Sequence, residues 1–327
     1  MRDPATIRLL PDGQRLHLND GPIDLIIGAD GAAKEIRRAY GAAARRFVRI
    51  LDELCAELPL LRTRQTHNSE LPAGAIARRM TDAVSPYRDR CFITPMAAVA
   101  GAVAEAVLDA MTKAAQLRRS YVNNGGDIAL HLVSGQSYTI GMVERPETTS
   151  LFASVEVSSA VPVRGVATSG WRGRSFSLGI ADAVTVLAET AAHADAAATI
   201  IANAINLPNH PAILRIPARE IAPDSDLLDL PVTHAVGPLR LQEIAQALDA
   251  GMVVADQLRS QHLIHSAALC LQGHVRITSS LCRDGLLRPS VAAHLPSRES
   301  ETAIVIPSEA RNLPLRSVYE EPSLCPK

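Results

Sequence analysis

Residues 121–128 read Tyr-Val-Asn-Asn-Gly-Gly-Asp-Ile, and this stretch places a sharp turn between two strands. Two asparagines tolerate a left-handed backbone, and two glycines leave room for another backbone or a phosphate-bearing ligand to approach. Backbone N–H groups and the asparagine amides line that approach. The motif is equally typical of a ligand-binding turn and of a tight hairpin closed by an Asx cap. The candidate binding residues here are Asn123, Asn124, Gly125, Gly126 and Asp127.

The sequence on either side of this turn predicts several strands and a few long helices. Predicted strands cover residues 5–10, 14–18, 22–28, 120–122, 127–133, 136–143, 151–157, 163–168, 182–188 and 267–277. Predicted helices cover 32–61, 72–85, 94–116, 191–205 and 238–260. We therefore predict an α+β fold, a sandwich of mixed β-sheet with long flanking helices.

Composition excludes several classes of protein. The 327 residues are 47% hydrophobic and 3% aromatic with a net charge of −1, which is typical of a globular chain and argues against nucleic acid or anionic lipid as partners. Glu105 and Asp109 interrupt the most apolar helix, so we expect no membrane span. The five cysteines form no CxxC pair, which favours a reducing compartment and a cytoplasmic location.

The helix predicted over 191–205 carries a candidate metal site. Asp195 and Thr199 are four residues apart and therefore lie on one face, one turn apart. A carboxylate and a hydroxyl are hard oxygen ligands that suit Mg²⁺, with waters and substrate phosphates completing its shell. The alternative is a tightly packed helix of small residues, with Asp195 near its positive end.

A loop at 167–174 combines hydroxyls, glycines, arginines and the single tryptophan. Arginines beside a permissive loop suit a phosphate or carboxylate. The alternative is a solvated turn with the tryptophan plugging an edge. The candidate binding residues in this loop are Thr168, Ser169, Gly170, Arg172 and Arg174.

The chain changes character after residue 277, where six of the 21 prolines fall and little periodicity remains. We predict one domain over residues 1–277 and a disordered or loosely attached tail over 278–327.

Several motifs in order resemble uncharacterised protein family 0280 of the ApbE-like superfamily, over about residues 5–277. The motifs that carry the resemblance are DGPIDLII (20–27), ARRM (77–80), ITPMAAVAGAVAEAVLDAM (93–111), YVNNGGDIALHL (121–132), VATSGWRGRSFSLGIADAVTVLA (166–188), ADAAATIIANAI (194–205) and DSDLLDLPVT (224–233).

The resemblance implies a fold and a chemistry. The ApbE flavin transferases use FAD and Mg²⁺ to attach FMN to a Thr or Ser of a target protein. Their GGD turn, TSG-type loop and metal-binding AD-A-x-A-T helix match residues 125–127, 168–170 and 194–199 here. This implies metal binding by Asp195 and Thr199.

Two departures separate this chain from the transferases. The stretch 176–182, which corresponds to the part of the transferases that carries a histidine implicated in catalysis, has none here. Ala100-Gly101 stands where the central helix usually has Lys-Gly. Loss of a general base removes about 10²–10⁴-fold of rate, and Asp182 is our candidate for a substitute base.

We therefore expect a cytoplasmic protein that binds a flavin nucleotide, FAD or FMN, or a similar phosphorylated cofactor with Mg²⁺, and that is related in activity to the FMN transferases. The alternatives are a non-catalytic cofactor-binding or carrier protein and an enzyme of another cofactor pathway, for example that of a pterin. The expected partners are a small-molecule cofactor or nucleotide and, as the commonest assembly, a second copy in a homodimer.

Overall fold

The computed structural model describes residues 4–143, 151–278, 287–289 and 303–305. The strands are β1 (Thr6–Leu9), β2 (Leu16–Asp20), β3 (Ile23–Gly31), β4 (Leu117–Asn124), β5 (Asp127–Leu132), β6 (Ser137–Val143), β7 (Leu151–Ser158), β8 (Gly165–Ser169), β9 (Ala183–Ala188), β10 (Ile213–Pro217), β11 (Pro231–Val236), β12 (Ser266–Leu271), β13 (His274–Ile277), β14 (Leu287–Pro289) and β15 (Ala303–Val305). The helices are α1 (Ala33–Phe47), α2 (Ile50–Ala56), α3 (Leu58–Leu61), α4 (Ala75–Val84), α5 (Val99–Ala114), α6 (Ala191–Ala204), α7 (Ala218–Ile221) and α8 (Leu241–Ser260), with 3₁₀ turns at Ser85–Tyr87 and Pro95–Ala98.

A nine-stranded sheet in the order β1-β2-β3-β4-β5-β8-β9-β12-β13 forms the middle of the molecule. Each of its neighbouring pairs is antiparallel. Because side chains alternate along a strand, each sheet face carries its own set of apolar residues. One face packs against α1, α5, α6 and α8 in the larger hydrophobic core.

The other face of the sheet packs against a second, four-stranded sheet in the order β14-β7-β6-β15. Ile128 and Val166 of the large sheet share a hydrophobic cluster with Ile140 and Val155 of the small one. The described part of the chain therefore has three layers: helices, the nine-stranded sheet and the small sheet. The α+β class is confirmed.

Three details of the sequence prediction were wrong. The single helix over 32–61 is three helices, because the chain turns at Val48–Arg49 and again at Glu57. The single strand over 267–277 is the hairpin β12–β13, whose turn residues Gln272 and Gly273 both have positive φ. The predicted mixed sheet is antiparallel across all nine strands, and the parallel pair that the structure describes is β6–β15 of the small sheet.

The tail predicted over 278–327 lies mostly outside the described residues. Two short pieces of it are strands: β14 pairs with β7, and β15 pairs with β6. Thr278 is buried and bonded to Ala267 in β12.

The segment Pro95–Ala114, which includes α5, passes the length and composition test for a membrane span, alone among the described helices, and half of that window is buried inside the fold. The two acidic residues on which we based the expectation of no span pair with one arginine of α4: Arg79 lies 3.0 Å from the Glu105 carboxylate and 2.7 Å from that of Asp109.

Helices α5 and α6 cross where both begin, and each supplies a carboxylate to the other. The backbone N–H of Gly101 in α5 donates to Asp195 Oδ2 at 3.0 Å. In return, the N–H of Ala192 in α6 donates to Glu105 Oε1 at 2.7 Å. The first N–H groups of a helix have no partner within it, so these carboxylates satisfy donors that burial would otherwise leave unpaired.

This crossing is close enough to require glycine at position 101. A Cβ on Gly101 would lie 2.3 Å from the carbonyl oxygen of Ala191, a distance that the backbone of α6 cannot relieve without moving. Gly101 therefore fixes how near α6 comes to α5, and with it the position of Asp195.

We predict that Gly101→Ala destabilises the fold by about 1–3 kcal/mol, as overpacking of a closed contact does. The matched control is Gly41→Ala in α1, where the added Cβ meets only the end of the flexible Arg45 side chain at 3.3 Å. Alanine has a higher helix propensity than glycine, so Gly41→Ala is expected to raise the free energy of unfolding by up to about 1 kcal/mol. Urea unfolding of the two variants measures both effects, and equal effects of the two substitutions would contradict this account of the crossing.

Candidate functional site

Asp195 is a half-buried carboxylate near the start of α6. Desolvation by the surrounding protein raises its pKa to about 7, while the backbone N–H groups of Gly101 and Ala100 oppose the rise. No cationic side chain pairs with it in the part of the chain that the structure describes. Thr199 lies one helical turn further along α6 and is half-buried. Asp195 therefore carries a charge that burial penalises and that only backbone donors stabilise.

The double-glycine turn of the sheet is linked by a hydrogen bond to the peptide that Asp195 contacts. Asn124, at the end of β4, donates from Nδ2 to the carbonyl oxygen of Ala100 at 3.1 Å. Ala100 is the residue before Gly101, whose N–H is held by Asp195. A single peptide unit, Ala100–Gly101, thus bridges the end of β4 and the candidate metal helix. The structure brings Asn124 and Asp195 together from positions 71 residues apart in the sequence.

The turn itself is a two-residue β-hairpin. Asn124 pairs with Asp127 across it, and Gly125 and Gly126 have φ values of +65° and +119°. Asn123 accepts the N–H of Gly126 on its side-chain oxygen at 2.9 Å, which is the Asx cap of the alternative interpretation. A Cβ at Gly125 would meet no atom within 4 Å, so the outer side of this turn is open.

Asp127 connects the turn to the loop that begins in β8. Its Oδ1 accepts the N–H of Thr168 at 3.2 Å, and the Thr168 hydroxyl pairs with that of Thr185 in β9 at 2.9 Å. Ser169 is half-buried, and none of the described residues hydrogen-bonds to its hydroxyl. The GGD turn and the TSG loop are therefore adjacent, as the candidate site requires.

Asp182 anchors the far end of that loop. Its carboxylate, 2% exposed, accepts from Arg172 Nε at 2.8 Å, from Trp171 Nε1 at 3.2 Å and from the N–H of Gln272 at 2.6 Å. The Arg172 guanidinium also stacks over the Trp171 ring, 4.4 Å from its centroid. Three donors, one of them the Arg172 cation, therefore occupy this carboxylate and tie it to its own loop and to the β12–β13 turn.

The other two loop residues also have structural contacts. A Cβ on Gly170 would lie 2.4 Å from the Asp182 carbonyl oxygen, so glycine is what lets the loop close against 181–182. Exposed Arg174 donates to the carbonyl of Pro22 at 3.0 Å in the β2–β3 turn. The loop is thus held by contacts at both of its ends, and Ser169 lies between these contacts.

Two cavities are lined by other residues. An open groove of about 490 Å³ is lined by the end of β3, the start of β4 and the residues next to them, including Gln116 and Arg118. A smaller cavity of about 50 Å³ lies beside Pro95. Among the described residues, the structure shows no group of three or more His, Cys, Asp or Glu side chains arranged for a metal.

Sequence reasoning selected the glycine turn, the loop and the candidate metal helix, but it missed the residues that join them. Glu105, Gly101 and Gln272 were not candidates. Glu105 and Gly101 are the single acid and the single glycine within the alanine-rich run 97–106, and this contrast with their neighbours could have identified them. Gln272 contributes only its backbone N–H, so no side-chain pattern could reveal it.

The fold and the linked cluster of glycine turn, TSG loop and Asp-bearing helix define an ApbE-like protein. The family model described as "AbpE bacteria" matches residues 7–277, so the chain belongs to that family.

Curated relatives agree with this assignment. The UPF0280 protein of Methanothermobacter thermautotrophicus is 41% identical over 119 residues, which are 36% of this chain and 44% of the relative. That of Methanopyrus kandleri is 36% identical over 183 residues, 55% of this chain and 69% of the relative. The chain thus spans less than half of the first relative and about two thirds of the second.

Two solved structures are similar at low identity. The ApbE protein of Thermotoga maritima is 12% identical with a TM-score of 0.44, covering 82% of this chain and 98% of that one. The apo flavinyl transferase ApbE of Pseudomonas stutzeri is 14% identical with a TM-score of 0.35, covering 88% and 99%.

We predict an unusual pH dependence of stability from Asp195. Its folded pKa, about 7, lies above the ordinary 3.8, so the folded protein binds a proton that the unfolded chain releases. In the absence of divalent metal, the contribution of this group to the free energy of unfolding should rise as pH falls from about 8 to about 5. Asp195→Asn keeps an acceptor for Gly101 and should flatten this part of the profile, measured by urea unfolding at each pH. Identical profiles for the two proteins would contradict the prediction.

Proposed function

We propose that this protein binds a flavin nucleotide, FAD or FMN, together with Mg²⁺ at the cluster around the Ala100–Gly101 peptide, and acts on its phosphate linkage as an FMN transferase-like enzyme. The observation that carries the proposal is the convergence of Asn124 and Asp195 on that one peptide. This convergence links the glycine turn to Asp195, one of the two side chains that our sequence analysis assigned to a metal. Membership of the ApbE-like family supports the flavin.

The donor set fits Mg²⁺. Asp195 is a half-buried carboxylate without a cationic partner among the described residues, and its raised pKa reflects how poorly its charge is compensated. Thr199 adds a neutral hydroxyl on the same helix face, and Mg²⁺ characteristically takes one or two protein oxygens and completes its shell with waters and phosphates. When bound, Mg²⁺ would supply positive charge next to the phosphates of the nucleotide.

The protein's own residues would hold the nucleotide. The open side of the turn at Gly125 admits a phosphate close to the backbone, since no side chain projects there. The Ser169 hydroxyl, held between the anchors at Thr168 and Gly170, can donate to a phosphate oxygen. Arg172 and Arg174, the phosphate contacts proposed from the sequence, would have to act from their positions on Asp182 and Pro22.

Asp182 is assigned a positioning role in this proposal, in place of the general base considered from the sequence. Its carboxylate oxygens accept from Arg172, Trp171 and the N–H of Gln272, and these hydrogen bonds hold the TSG loop against β12–β13. The same observation favours a second candidate function, a flavin-nucleotide carrier that binds its ligand without turnover. Cytoplasmic location and a homodimer, both expected from composition and base rates, complete the proposal.

The metal assignment predicts a specific pattern of affinities. Titrating FAD into the protein by calorimetry, with and without Mg²⁺, should show tighter binding with the ion. Asp195→Asn and Thr199→Val should each weaken the Mg²⁺ effect by about tenfold or more, since even residues outside the ligand shell change metal affinity by 10–100-fold. Thr112→Val in α5, a half-buried helical threonine that donates to Leu108, is the matched control. Wild-type protein that binds no FAD under either condition would refute the proposal.

The pH dependence of that binding has a predictable sign. Mg²⁺ requires ionised Asp195, whose pKa is about 7, so the Mg²⁺-dependent part of the affinity should fall as pH drops below about 7. The same titration at several pH values measures this, and Asp195→Asn should remove the dependence. An Mg²⁺ effect that is constant from pH 8 to about 5 would exclude Asp195 as the ligand.

Asp182→Asn separates the two roles considered for this residue. If it positions the loop, the variant should lose roughly 1–3 kcal/mol of stability, the cost of a broken charged hydrogen bond. Fluorescence of Trp171, the single tryptophan of the chain, should change because its Nε1–H loses the charged acceptor. Unchanged stability and emission, combined with loss of FMN and AMP release from FAD, would instead identify a general base.

A further inference from the structure

Arg79 on α4 joins two carboxylates of α5. Its Nε lies 3.0 Å from Glu105 Oε2, and its Nη2 donates to Asp109 Oδ2 at 2.7 Å. Glu105 and Asp109 are four residues apart and therefore lie on one face of α5. The side chain of Glu105 is 15% exposed and that of Asp109 is 45% exposed, so the pair with Glu105 is the better shielded from water. Arg79 belongs to the ARRM motif, which the proposed site does not use.

The second oxygen of Glu105 reaches α6 beside the candidate metal ligand. Oε1 accepts the N–H of Ala192 at 2.7 Å, and Asp195 in turn accepts the N–H of Gly101 at 3.0 Å. These two N–H groups adjoin each other, because a Cβ on Gly101 would lie 2.7 Å from the nitrogen of Ala192. Standard bond and hydrogen-bond lengths then place the carboxylates of Glu105 and Asp195 roughly 5–8 Å apart.

Two carboxylates at this separation act together on any cation near them, since the distance is within the screening length of physiological salt. Arg79 neutralises Glu105, whereas no cationic side chain pairs with Asp195 in the described part of the chain. The crossing of α5 and α6 therefore offers a metal one uncompensated negative charge. Without Arg79 it would offer two. A Mg²⁺ site with a single carboxylate depends on phosphate oxygens for the rest of its negative charge.

We propose that Arg79 is a positioning residue that acts through Glu105: it holds this carboxylate on α6 and neutralises its charge, so that the site accepts Mg²⁺ together with nucleotide phosphates and not alone. This inference rests on the proposed function and states how binding at that site is regulated. The nucleotide supplies the negative charge that Arg79 cancels, so the metal and the nucleotide each raise the affinity of the protein for the other by the same factor.

The test measures the binding of Mg²⁺ alone by calorimetry, and then the binding of FAD with and without Mg²⁺. Arg79→Met removes the cation and keeps most of the side-chain volume. It should tighten the binding of Mg²⁺ alone by about 10–100-fold, the effect of one further charge at this distance in a partly shielded site. Arg79→Lys keeps a cation and should bind Mg²⁺ nearly as the wild type does. A purely structural ion pair predicts the opposite sign, because its loss would loosen the crossing. Unchanged or weaker binding of Mg²⁺ alone by folded Arg79→Met would overturn the proposal.

Double variants identify the carboxylate through which Arg79 acts. Adding Glu105→Gln to Arg79→Met removes the released charge but keeps an acceptor for the N–H of Ala192, so the weak wild-type affinity for Mg²⁺ alone should return. Adding Asp109→Asn instead should leave the tighter binding in place, because water already solvates much of the Asp109 carboxylate. The reverse pattern would exclude Glu105 as the intermediary.

A control and a second single variant complete the experiment. Arg46→Met removes the 2.7 Å pair between Arg46 of α1 and Glu53 of α2, and it should leave Mg²⁺ binding unchanged. Should Arg79→Met not fold, Glu105→Gln alone makes the opposite change, since the charge of Arg79 is then less compensated. The Mg²⁺-dependent part of FAD binding should weaken by about three- to tenfold in that variant, and an unchanged value would contradict the proposal.

The outcomes separate this inference from the proposed function. FAD binding that Mg²⁺ strengthens, together with unchanged Mg²⁺ binding by Arg79→Met, refutes the role of Arg79 and leaves the proposed function standing. Wild-type protein that binds no FAD, together with an Arg79→Met variant that gains affinity for Mg²⁺, refutes the proposed function alone. Absence of FAD binding and of any gain in Mg²⁺ affinity rejects both.

Discussion

The structure depends on the reciprocal capping of α5 and α6. Both helices begin inside the protein, where their first N–H groups have no solvent to bond with, and each carries the carboxylate that the other needs. Asp195 accepts from Gly101, and Glu105 accepts from Ala192. The arrangement works only because position 101 has no side chain to hold the helices apart. This contact sets the position of Asp195, the proposed metal ligand.

The same contact gives Asp195 two roles. As a cap it satisfies backbone donors, but those donors are neutral and compensate its charge only partly, which is why its pKa remains near 7. Glu105 differs because Arg79 pairs with it at 3.0 Å. Of two equivalent caps, one is neutralised by an arginine of α4 and the other retains an uncompensated charge. That asymmetry is the reason for proposing Asp195, and not Glu105, as a metal ligand.

Asp182 differs from Asp195 because a cationic side chain, that of Arg172, pairs with its carboxylate. Its contacts with Arg172, Trp171 and Gln272 use its hydrogen-bonding capacity and tie the TSG loop to the β12–β13 hairpin. This loop is also joined to the glycine turn through Asp127 and Thr168. The three motifs of the site therefore form one connected network of short polar contacts, anchored on a rigid antiparallel sheet. Such anchoring positions a binding site more accurately than free loops do.

The sequence by itself determined the class of fold, most strands and helices, and the local shape of the turn at 123–127. Apolar periodicity, Gly-Gly and Thr-Pro are local signals, and they act over a few residues. It did not reveal the break at Val48–Arg49 or the turn at Gln272–Gly273, because neither carries a strong breaker beyond a single glycine.

Only the tertiary structure decided which motifs meet and what each acid does. From the sequence, Asp182 and Asp195 were two carboxylates near strand and helix ends. Their partners lie 10 to 94 residues away along the chain, as with Arg172 for Asp182 and Gly101 for Asp195. Burial and charge compensation arise from such distant contacts, so a local pattern can nominate a residue but cannot assign its role.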